Sequence, residues 1–111
     1  MNTYQIHDAQ FQALGDATRR AILARLADEG RMPVGELARA FPVSRPAISQ
    51  HLRVLKDAHL VIDSASGTRR LYAVNPAAIE SLHKYFEHFW GKALAAFKTT
   101  VEQDANTKEE R

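Results

Sequence analysis

Apolar residues recur every three or four positions along most of the chain, a spacing typical of amphipathic helices. This periodicity predicts five helices, over residues 7–14, 17–28, 34–40, 45–58 and 76–101. Asp16 and Ser44 are expected to cap the second and fourth helices, because their side-chain oxygens can accept from exposed backbone N–H groups. Residues 104–111 are polar and charged, and we expect them to form a frayed tail.

Two segments rich in strand-forming residues follow the fourth helix, Leu60–Asp63 and Arg70–Val74. Gly67 lies between them and can adopt the positive φ of a tight turn, so the sequence predicts a two-stranded β-hairpin. Another short extended segment is expected at Met32–Val34, since a residue before proline avoids the α region. Two short helices joined by a brief turn and followed by a hairpin indicate a winged helix-turn-helix.

A chain of 111 residues has the size of one domain. We therefore expect a single winged helix-turn-helix domain over residues 1–111, mainly α with a small β-hairpin. Its expected parts are a helix-turn-helix at 34–58, a wing at 60–74 and a long dimerisation helix at 76–101.

The composition excludes several kinds of site. There is no cysteine, which excludes a disulfide framework, thiolate metal sites and a cysteine nucleophile. The first residues lack the pattern of a secretory signal, and no apolar stretch approaches the ~20 residues that cross a bilayer. We expect a cytoplasmic protein with no membrane partner.

The positive charge is concentrated in the middle of the chain. The formal net charge is only +2, but residues 19–70 hold ten basic and five acidic side chains, while both flanking segments are slightly acidic. Nine of those ten basic residues are arginines, whose guanidinium group suits bidentate contacts to phosphate and guanine. This distribution favours a DNA-binding face, although an ordinary solvated surface would also account for it.

The fourth helix combines an apolar stripe with a polar face. Ile48, Leu52 and Leu55 fall on one side and are predicted to be buried. The opposite side carries side chains of the kinds that contact bases and phosphates: Arg45, Ser49, Gln50, Arg53 and Lys56. The N-terminal half of such a helix enters the major groove, so the last two of these are expected to include phosphate contacts.

The hairpin adds two arginines to this polar face. Arg69 and Arg70 follow the predicted turn, and at least one of them is expected to project from the wing. A wing arginine can reach phosphates or a narrow minor groove, although it could instead cover the hairpin with its aliphatic stem. The order of helix, turn, polar-faced helix and basic hairpin favours DNA binding over a merely solvated surface.

The last helix carries a wide aromatic face that needs a packing partner. We expect a dimer interface made of the apolar residues of this helix together with two from the first: Phe11, Leu14, Leu82, Phe86, Phe89, Trp90, Ala93 and Phe97. A two-fold dimer would present two recognition helices to an inverted repeat, with half-sites about one turn (~34 Å) apart. The alternative is a helix that packs only within its own chain.

With these residues in view, the chain resembles the ArsR/SmtB family of winged-helix repressors. The resemblance is carried by LGDATRRAILARLA, VGELARAFPVSRPAISQHLRVLKDAHLV and GTRRLYAV, which lie within residues 14–74. It implies a homodimer that represses transcription from operator DNA. By position, it implies DNA contacts from residues of the fourth helix and the wing: Ser44, Arg45, Pro46, Ser49, Gln50, Arg53, Arg69 and Arg70. In the same stretch it implies a structural role for His51.

Departures from the family pattern bear on the effector. Many members sense metals through cysteines on the third helix, which this sequence lacks, or through ligands on the last helix. His83 and Glu87 share a face of the last helix, but the second histidine expected eleven residues after His83 is replaced by Leu94. The sequence resembles the cysteine-free branch whose last helix contains Tyr-Phe-x-x-Phe-Trp. That resemblance implies a metal-independent repressor without a cofactor, often controlling its own operon.

Two other functions stay open at this point. One is a metal- or small-ligand-responsive repressor that uses His83, Glu87 and a residue of a partner chain. The other is a winged-helix module that binds protein, against which the charged face with Arg45, Gln50 and Arg53 argues. No enzyme is expected, because the five histidines are scattered and no nucleophile or paired acid accompanies them.

Overall fold

A computed structural model describes the backbone of residues 3–109 and the side chains of residues 5–105. Within these residues the elements follow the order α1 (Thr3–Ala13), α2 (Ala17–Glu29), β1 (Met32–Pro33), α3 (Val34–Arg39), α4 (Arg45–Asp57), β2 (Val61–Ser66), β3 (Arg69–Val74) and α5 (Pro76–Glu109). The mainly helical fold with a small hairpin, that of a winged helix-turn-helix, is confirmed.

Two helix ends differ from the prediction. Helix α1 begins at Thr3 instead of residue 7, and α5 continues to Glu109 instead of ending at residue 101. Neither added segment contains the glycine or proline that would interrupt a helix, and residues 102–109 include several strong helix formers. Residues 104–109, expected to be frayed, are therefore helical in the structure, whereas residues 110 and 111 lie outside the part described.

Local hydrogen bonds start the helices that build the helix-turn-helix. Asp16 lies outside α2 in an extended conformation, and its carboxylate accepts from the backbone N–H of Arg19 at 3.0 Å. The guanidinium groups of Arg19 and Arg20 donate to the carbonyl oxygens of Ala13 and Leu14, both at 2.6 Å. These two basic side chains therefore satisfy carbonyls at the C-terminus of α1.

The chain divides into two compact units at the bond between Ile79 and Glu80. The first unit contains α1 to β3 and the first turn of α5, and most of its core is formed by apolar side chains of α2, α3, α4 and the start of the hairpin. The largest fully buried apolar members of that core are Ile22, Leu26, Leu37, Ile48, Leu52, Leu55, Leu60 and Val61. The second unit consists of the rest of α5. In the described part of the chain, no helix is both long and apolar enough to span a membrane.

The sheet has three antiparallel strands in the order β1-β3-β2. The predicted hairpin is present, but its strands extend to Ser66 and Arg69, which pair directly and leave a turn of two residues. Gly67 is the first of these and has a φ of 63°, which a glycine adopts without strain. The short strand β1 was predicted only as an extended segment, because its pairing of Met32 with Tyr72 is a long-range contact.

A tight turn joins α4 to the hairpin. His59 has a φ of 63°, its N–H donates to Lys56 O, and the N–H of Leu60 donates to Leu55 O at 2.9 Å. These are the two hydrogen bonds of a Schellman motif. The side-chain amide of Asn75, at the end of β3, donates to His59 O at 2.9 Å. Both strands of the hairpin are thereby tied to the C-terminus of α4.

Candidate nucleic-acid interface

The two faces of α4 are separated as predicted. Ile48, Leu52 and Leu55 are fully buried. The side chains of the predicted contact face are all exposed: Arg45, Pro46, Ser49, Gln50, Arg53 and Lys56. Burial of the apolar stripe therefore holds a row of hydrogen-bonding and charged side chains toward solvent. His51 is half-buried at the edge between the two faces.

The first turn of α4 is fixed by its cap. The Oγ of Ser44 accepts from the backbone N–H of Ala47 at 3.2 Å. Pro46 lies in the same turn, where its missing N–H leaves no hydrogen bond unmade. Both residues were predicted as DNA contacts, and the structure places them at the exposed N-terminus of α4, beside Arg45.

The two arginines of the wing lie on opposite faces of the hairpin, because successive residues of a strand alternate in direction. Their side chains are 60% and 57% exposed, and each is held by an ion pair. An Nη2 of Arg69 lies 3.8 Å from Oε1 of Glu36 in α3, and Nη1 of Arg70 lies 3.1 Å from Oδ2 of Asp63 in β2. Both guanidinium groups are therefore accessible, and the shorter of the two ion pairs orients that of Arg70.

Asp63 joins the wing to the recognition helix. Its Oδ1 lies 3.0 Å from Nζ of Lys56, while its Oδ2 pairs with Arg70, and its own side chain is only 10% exposed. The hydrogen bond from Lys56, together with the positive charges of Lys56 and Arg70, lowers the pKa of Asp63 below its usual value. Sequence reasoning missed Asp63, because its role depends on the register that brings β2 and α4 together.

A cleft between α3, α4 and the wing also escaped prediction. It has a volume of about 220 Å3 and is lined by residues of β1, α3, α4 and β3: Pro33, Gly35, Glu36, Arg39, Arg45 and Arg69. The high proportion of arginine in residues 19–70 indicated a basic surface. It did not indicate that three arginines from separate elements would converge on one cleft.

Comparisons with known proteins show the family of the chain. A helix-turn-helix domain model matches residues 14–63. The ArsR-like transcriptional regulator from Rhodococcus sp. RHA1 superposes with a TM-score of 0.76 at 32% identity, covering 89% of this chain and 95% of that one. HTH-type transcriptional regulator Rv2034 of Mycobacterium tuberculosis is 48% identical over 106 residues, which is 96% of this chain and 98% of the relative. The chain belongs to the ArsR family of winged helix-turn-helix transcriptional regulators.

Two further similar proteins are a named repressor and a homodimeric DNA-binding domain. Transcriptional repressor SdpR of Bacillus subtilis is 35% identical over 82 residues, covering 74% of this chain and 90% of the repressor. A homodimeric winged helix-turn-helix DNA-binding domain from Mycobacterium bovis, described as a possible ArsR-family regulator, superposes with a TM-score of 0.64. That domain is 27% identical, and the match covers 81% of this chain and 80% of it. The relatives named here are regulators of transcription, not enzymes.

Helix α5 of this ArsR-family chain carries the predicted aromatic face. Phe86, Phe89, Trp90 and Phe97 are between 47% and 67% exposed, and the rings of Phe86 and Trp90 stack with centroids 6.0 Å apart. Ala93 is exposed and Leu82 is half-buried. Sequence reasoning did not include Leu94 and Val101, which are also exposed: Leu94 lies between Trp90 and Phe97, and Val101 extends the apolar surface by one turn beyond Phe97.

The two remaining predicted interface residues belong to the first unit. Phe11 in α1 is 41% exposed, and Leu14, just after that helix, is half-buried. Leu14 O accepts from Arg20, so its backbone takes part in the turn between α1 and α2.

The candidate metal residues form a pair. Nε2 of His83 lies 3.4 Å from Oε1 of Glu87, and the neighbouring Glu80 pairs with Lys84 at 3.2 Å. Among the described residues, no group of three or more histidine, cysteine, aspartate or glutamate side chains is placed to hold a metal ion. An ArsR-family metal site on α5 would therefore need ligands beyond those of one described chain.

Proposed function

We propose that this ArsR-family regulator is a homodimeric repressor of the cytoplasm that binds an inverted-repeat operator and controls its own operon without a metal effector. The observation that carries the proposal is the exposed face of α4. It presents a guanidinium, a hydroxyl and an amide in the N-terminal half of the helix, at Arg45, Ser49 and Gln50. Arg is suited to guanine in the major groove and Gln to adenine.

The other predicted contacts are proposed to surround this exposed face of α4. Arg53 and Lys56 lie further along α4, where a recognition helix leaves the base edges and meets phosphates. Ser44 and Pro46 flank Arg45 at the start of the helix. Arg69 and Arg70 extend the basic surface onto the wing. Base contacts would supply sequence preference, and phosphate contacts would supply salt-dependent affinity.

The aromatic face of α5 supports the dimer. Phe89, Trp90 and Phe97 are each more than half exposed on one described chain, and an apolar surface of this kind is typical of a protein interface. A second copy would cover it with an identical surface, as two-fold symmetry requires. Phe11 and Leu14 are proposed to contribute to the same interface. The homodimeric relative from Mycobacterium bovis is in keeping with this assembly.

The repressing role and the absence of a metal effector are supported by a named relative and by the composition of the chain. The relative SdpR is named a transcriptional repressor. A protein that binds operator DNA can repress by excluding the transcription machinery from that DNA. This chain contains no cysteine, so thiolate metal sensing is excluded. The alternative is a metal-responsive repressor, favoured only by the His83–Glu87 pair.

The test is selection of bound duplexes from a random pool at two salt concentrations, followed by titration of the selected site. We expect an inverted repeat with half-sites about one turn (~34 Å) apart and one dimer bound per site. Unchanged affinity after addition of zinc or nickel would agree with the metal-independent reading, and a change would favour the alternative. Recovery of random sequences at both salt concentrations would overturn the proposal of sequence-specific binding.

A further inference from the structure

We propose that the cleft lined by Pro33, Gly35, Glu36, Arg39, Arg45 and Arg69, here called the arginine cleft, is a phosphate site. Its ligand would be a backbone phosphate of the bound duplex, so this inference rests on the proposed DNA binding. It adds Arg39 to the residues that contact DNA and gives Glu36 a part in regulating the contact. Neither residue belongs to the predicted set.

The arginine cleft draws its cations from three separate elements. Arg39 is the last residue of α3, Arg45 the first of α4 and Arg69 the first of β3. Nη1 of Arg39 and Nη1 of Arg45 each lie 3.9 Å from the position that a Cβ on Gly35 would occupy. Two guanidinium groups therefore meet above this glycine, with the third at the wall of the same cleft.

The positive charge of the arginine cleft is only partly compensated within the described chain. Arg39 and Arg45 form no ion pair with any side chain of residues 5–105, and Glu36 is the one carboxylate in the lining. Neighbouring guanidinium groups repel one another, and an anion between them converts that repulsion into attraction. A phosphate is suited to this role, because its oxygens match the planar donors of arginine.

The position of the cleft fits a phosphate of the DNA backbone. Arg45 belongs both to the cleft and to the exposed face of α4, and Arg69 belongs both to the cleft and to the wing. A sugar–phosphate strand separates the major groove of a duplex from the minor groove beside it. A protein that places a helix in one groove and a hairpin in the next must therefore let that strand pass between them. The arginine cleft lies between these two elements.

Glu36 competes with the phosphate for Arg69. Its Oε1 lies 3.8 Å from Nη2 of Arg69, and both side chains are about half exposed, so the pair is weak and easily exchanged. Binding of a phosphate would draw Arg69 away from Glu36 and place a second negative charge beside that carboxylate. Glu36 therefore lowers the affinity of the arginine cleft for a phosphate and disfavours weak contacts to random sequences.

The experiment measures the salt dependence of binding to the selected operator and to random duplex for four proteins. Arg39→Gln is expected to reduce the slope of log affinity against log salt by about 0.9 on both duplexes, the value for one phosphate contact. Glu36→Gln is expected to bind both duplexes more tightly. Arg25→Gln removes the same charge from an exposed position of α2 outside the cleft, and it should keep the slope of the unsubstituted chain.

A second measurement separates a DNA phosphate from a free one. The melting temperature of the unsubstituted chain and of Arg39→Gln is compared in inorganic phosphate and in sodium chloride at equal ionic strength. A slope that Arg39→Gln leaves unchanged would overturn the DNA assignment. If inorganic phosphate then stabilised only the unsubstituted chain, the cleft would be a site for free phosphate.

Failure of the proposed function would look different. The unsubstituted chain would then bind no duplex in a sequence-dependent manner, whatever the state of the cleft. If Arg39→Gln still reduced the salt slope on random duplex, the phosphate site would be supported and only the proposal of sequence-specific recognition would be overturned. If Arg25→Gln reduced the slope as much as Arg39→Gln, the effect would belong to overall charge and the cleft proposal would be wrong.

Discussion

The ammonium group of Lys56 lies 3.0 Å from a carboxylate oxygen of Asp63, which joins the recognition helix to the first strand of the wing. The second oxygen of the same carboxylate accepts from Arg70 on the neighbouring strand at 3.1 Å. Two of the cations predicted to contact DNA are therefore oriented by one nearly buried anion. The carboxylate holds them in place and also reduces the positive charge that they present to a phosphate.

Replacement of Asp63 by asparagine should separate these two effects. We expect the free energy of unfolding to fall by about 1 kcal/mol, because two partly exposed ion pairs are lost. Binding to random duplex should become tighter and steeper in salt, since Lys56 and Arg70 lose a competing anion, so that the preference for the operator falls. Urea denaturation and paired titrations on operator and random duplex would measure both.

Asp57→Asn is the matched control for this substitution. Asp57 is exposed at the end of α4 and forms no ion pair within the described residues. The control removes the same charge without releasing a cation. If both variants behaved alike, the bridging role of Asp63 would be refuted.

The stability of the protein should depend on the ionisation of Asp63 at low pH. The hydrogen bond from Lys56 and the positive charges nearby lower its pKa from the ordinary value of 3.8. A carboxyl with a lower pKa in the folded chain stabilises the fold above its unfolded pKa and loses that contribution as the pH falls through the folded value. The difference in unfolding free energy between the unsubstituted chain and Asp63→Asn should therefore be constant from pH 5 to 7 and shrink below about pH 4.

Urea denaturation of both proteins across this pH range would measure the difference. The pKa of Asp16 is also lowered, chiefly by the backbone N–H of Arg19. Because Asp16 is present in both proteins, its contribution to the unfolding free energy cancels in the difference. A difference that grew toward acid pH would contradict the assignment.

Gln50→Ala should weaken operator binding selectively. A bidentate contact to adenine contributes about 1–3 kcal/mol of discrimination, and random duplex offers no such contact at a fixed position. Titration of operator and random duplex at one salt concentration would show the loss on the operator alone. Gln12→Ala, which deletes an exposed amide from α1, should change neither affinity. An equal loss of Gln50→Ala on both duplexes would show that Gln50 reads no base.

Phe86→Asp should dissociate the proposed dimer. Phe86 is 47% exposed on one described chain, and its ring stacks on Trp90 within the aromatic face of α5. A carboxylate there would have to be buried without a partner if the two copies stayed together. Light scattering at micromolar concentration should show a monomer for Phe86→Asp. His88→Asp, on the opposite side of the same helix, should remain dimeric; dimers of both variants would place the interface elsewhere.

Much of the recognition helix could be predicted because its determinants are local. The cap at Ser44 and the apolar spacing of Ile48, Leu52 and Leu55 all lie within one short stretch of sequence. The start of α1 and the end of α5 were harder to predict, since no glycine or proline marks them.

The contacts that could not be predicted join residues far apart in sequence. The pairing of Met32 with Tyr72 makes a third strand, and the ion pair of Glu36 with Arg69 depends on that sheet. Asp63 reaches Lys56 only because β2 turns back beside α4. Hydrophobic periodicity carries no information on such side-chain partners, so the exposed polar face of α4 could be predicted but the ion pairs of Lys56, Arg69 and Arg70 could not.

The turn at His59 sets the angle at which the wing leaves α4. The left-handed backbone conformation of His59 is stabilised by the N–H of Leu60, which donates to Leu55 O, and by the side-chain amide of Asn75, which donates to His59 O. None of these residues belongs to the surface proposed to meet a duplex. Substitution at this turn can therefore change the angle between α4 and the wing while every side chain proposed to contact DNA is kept.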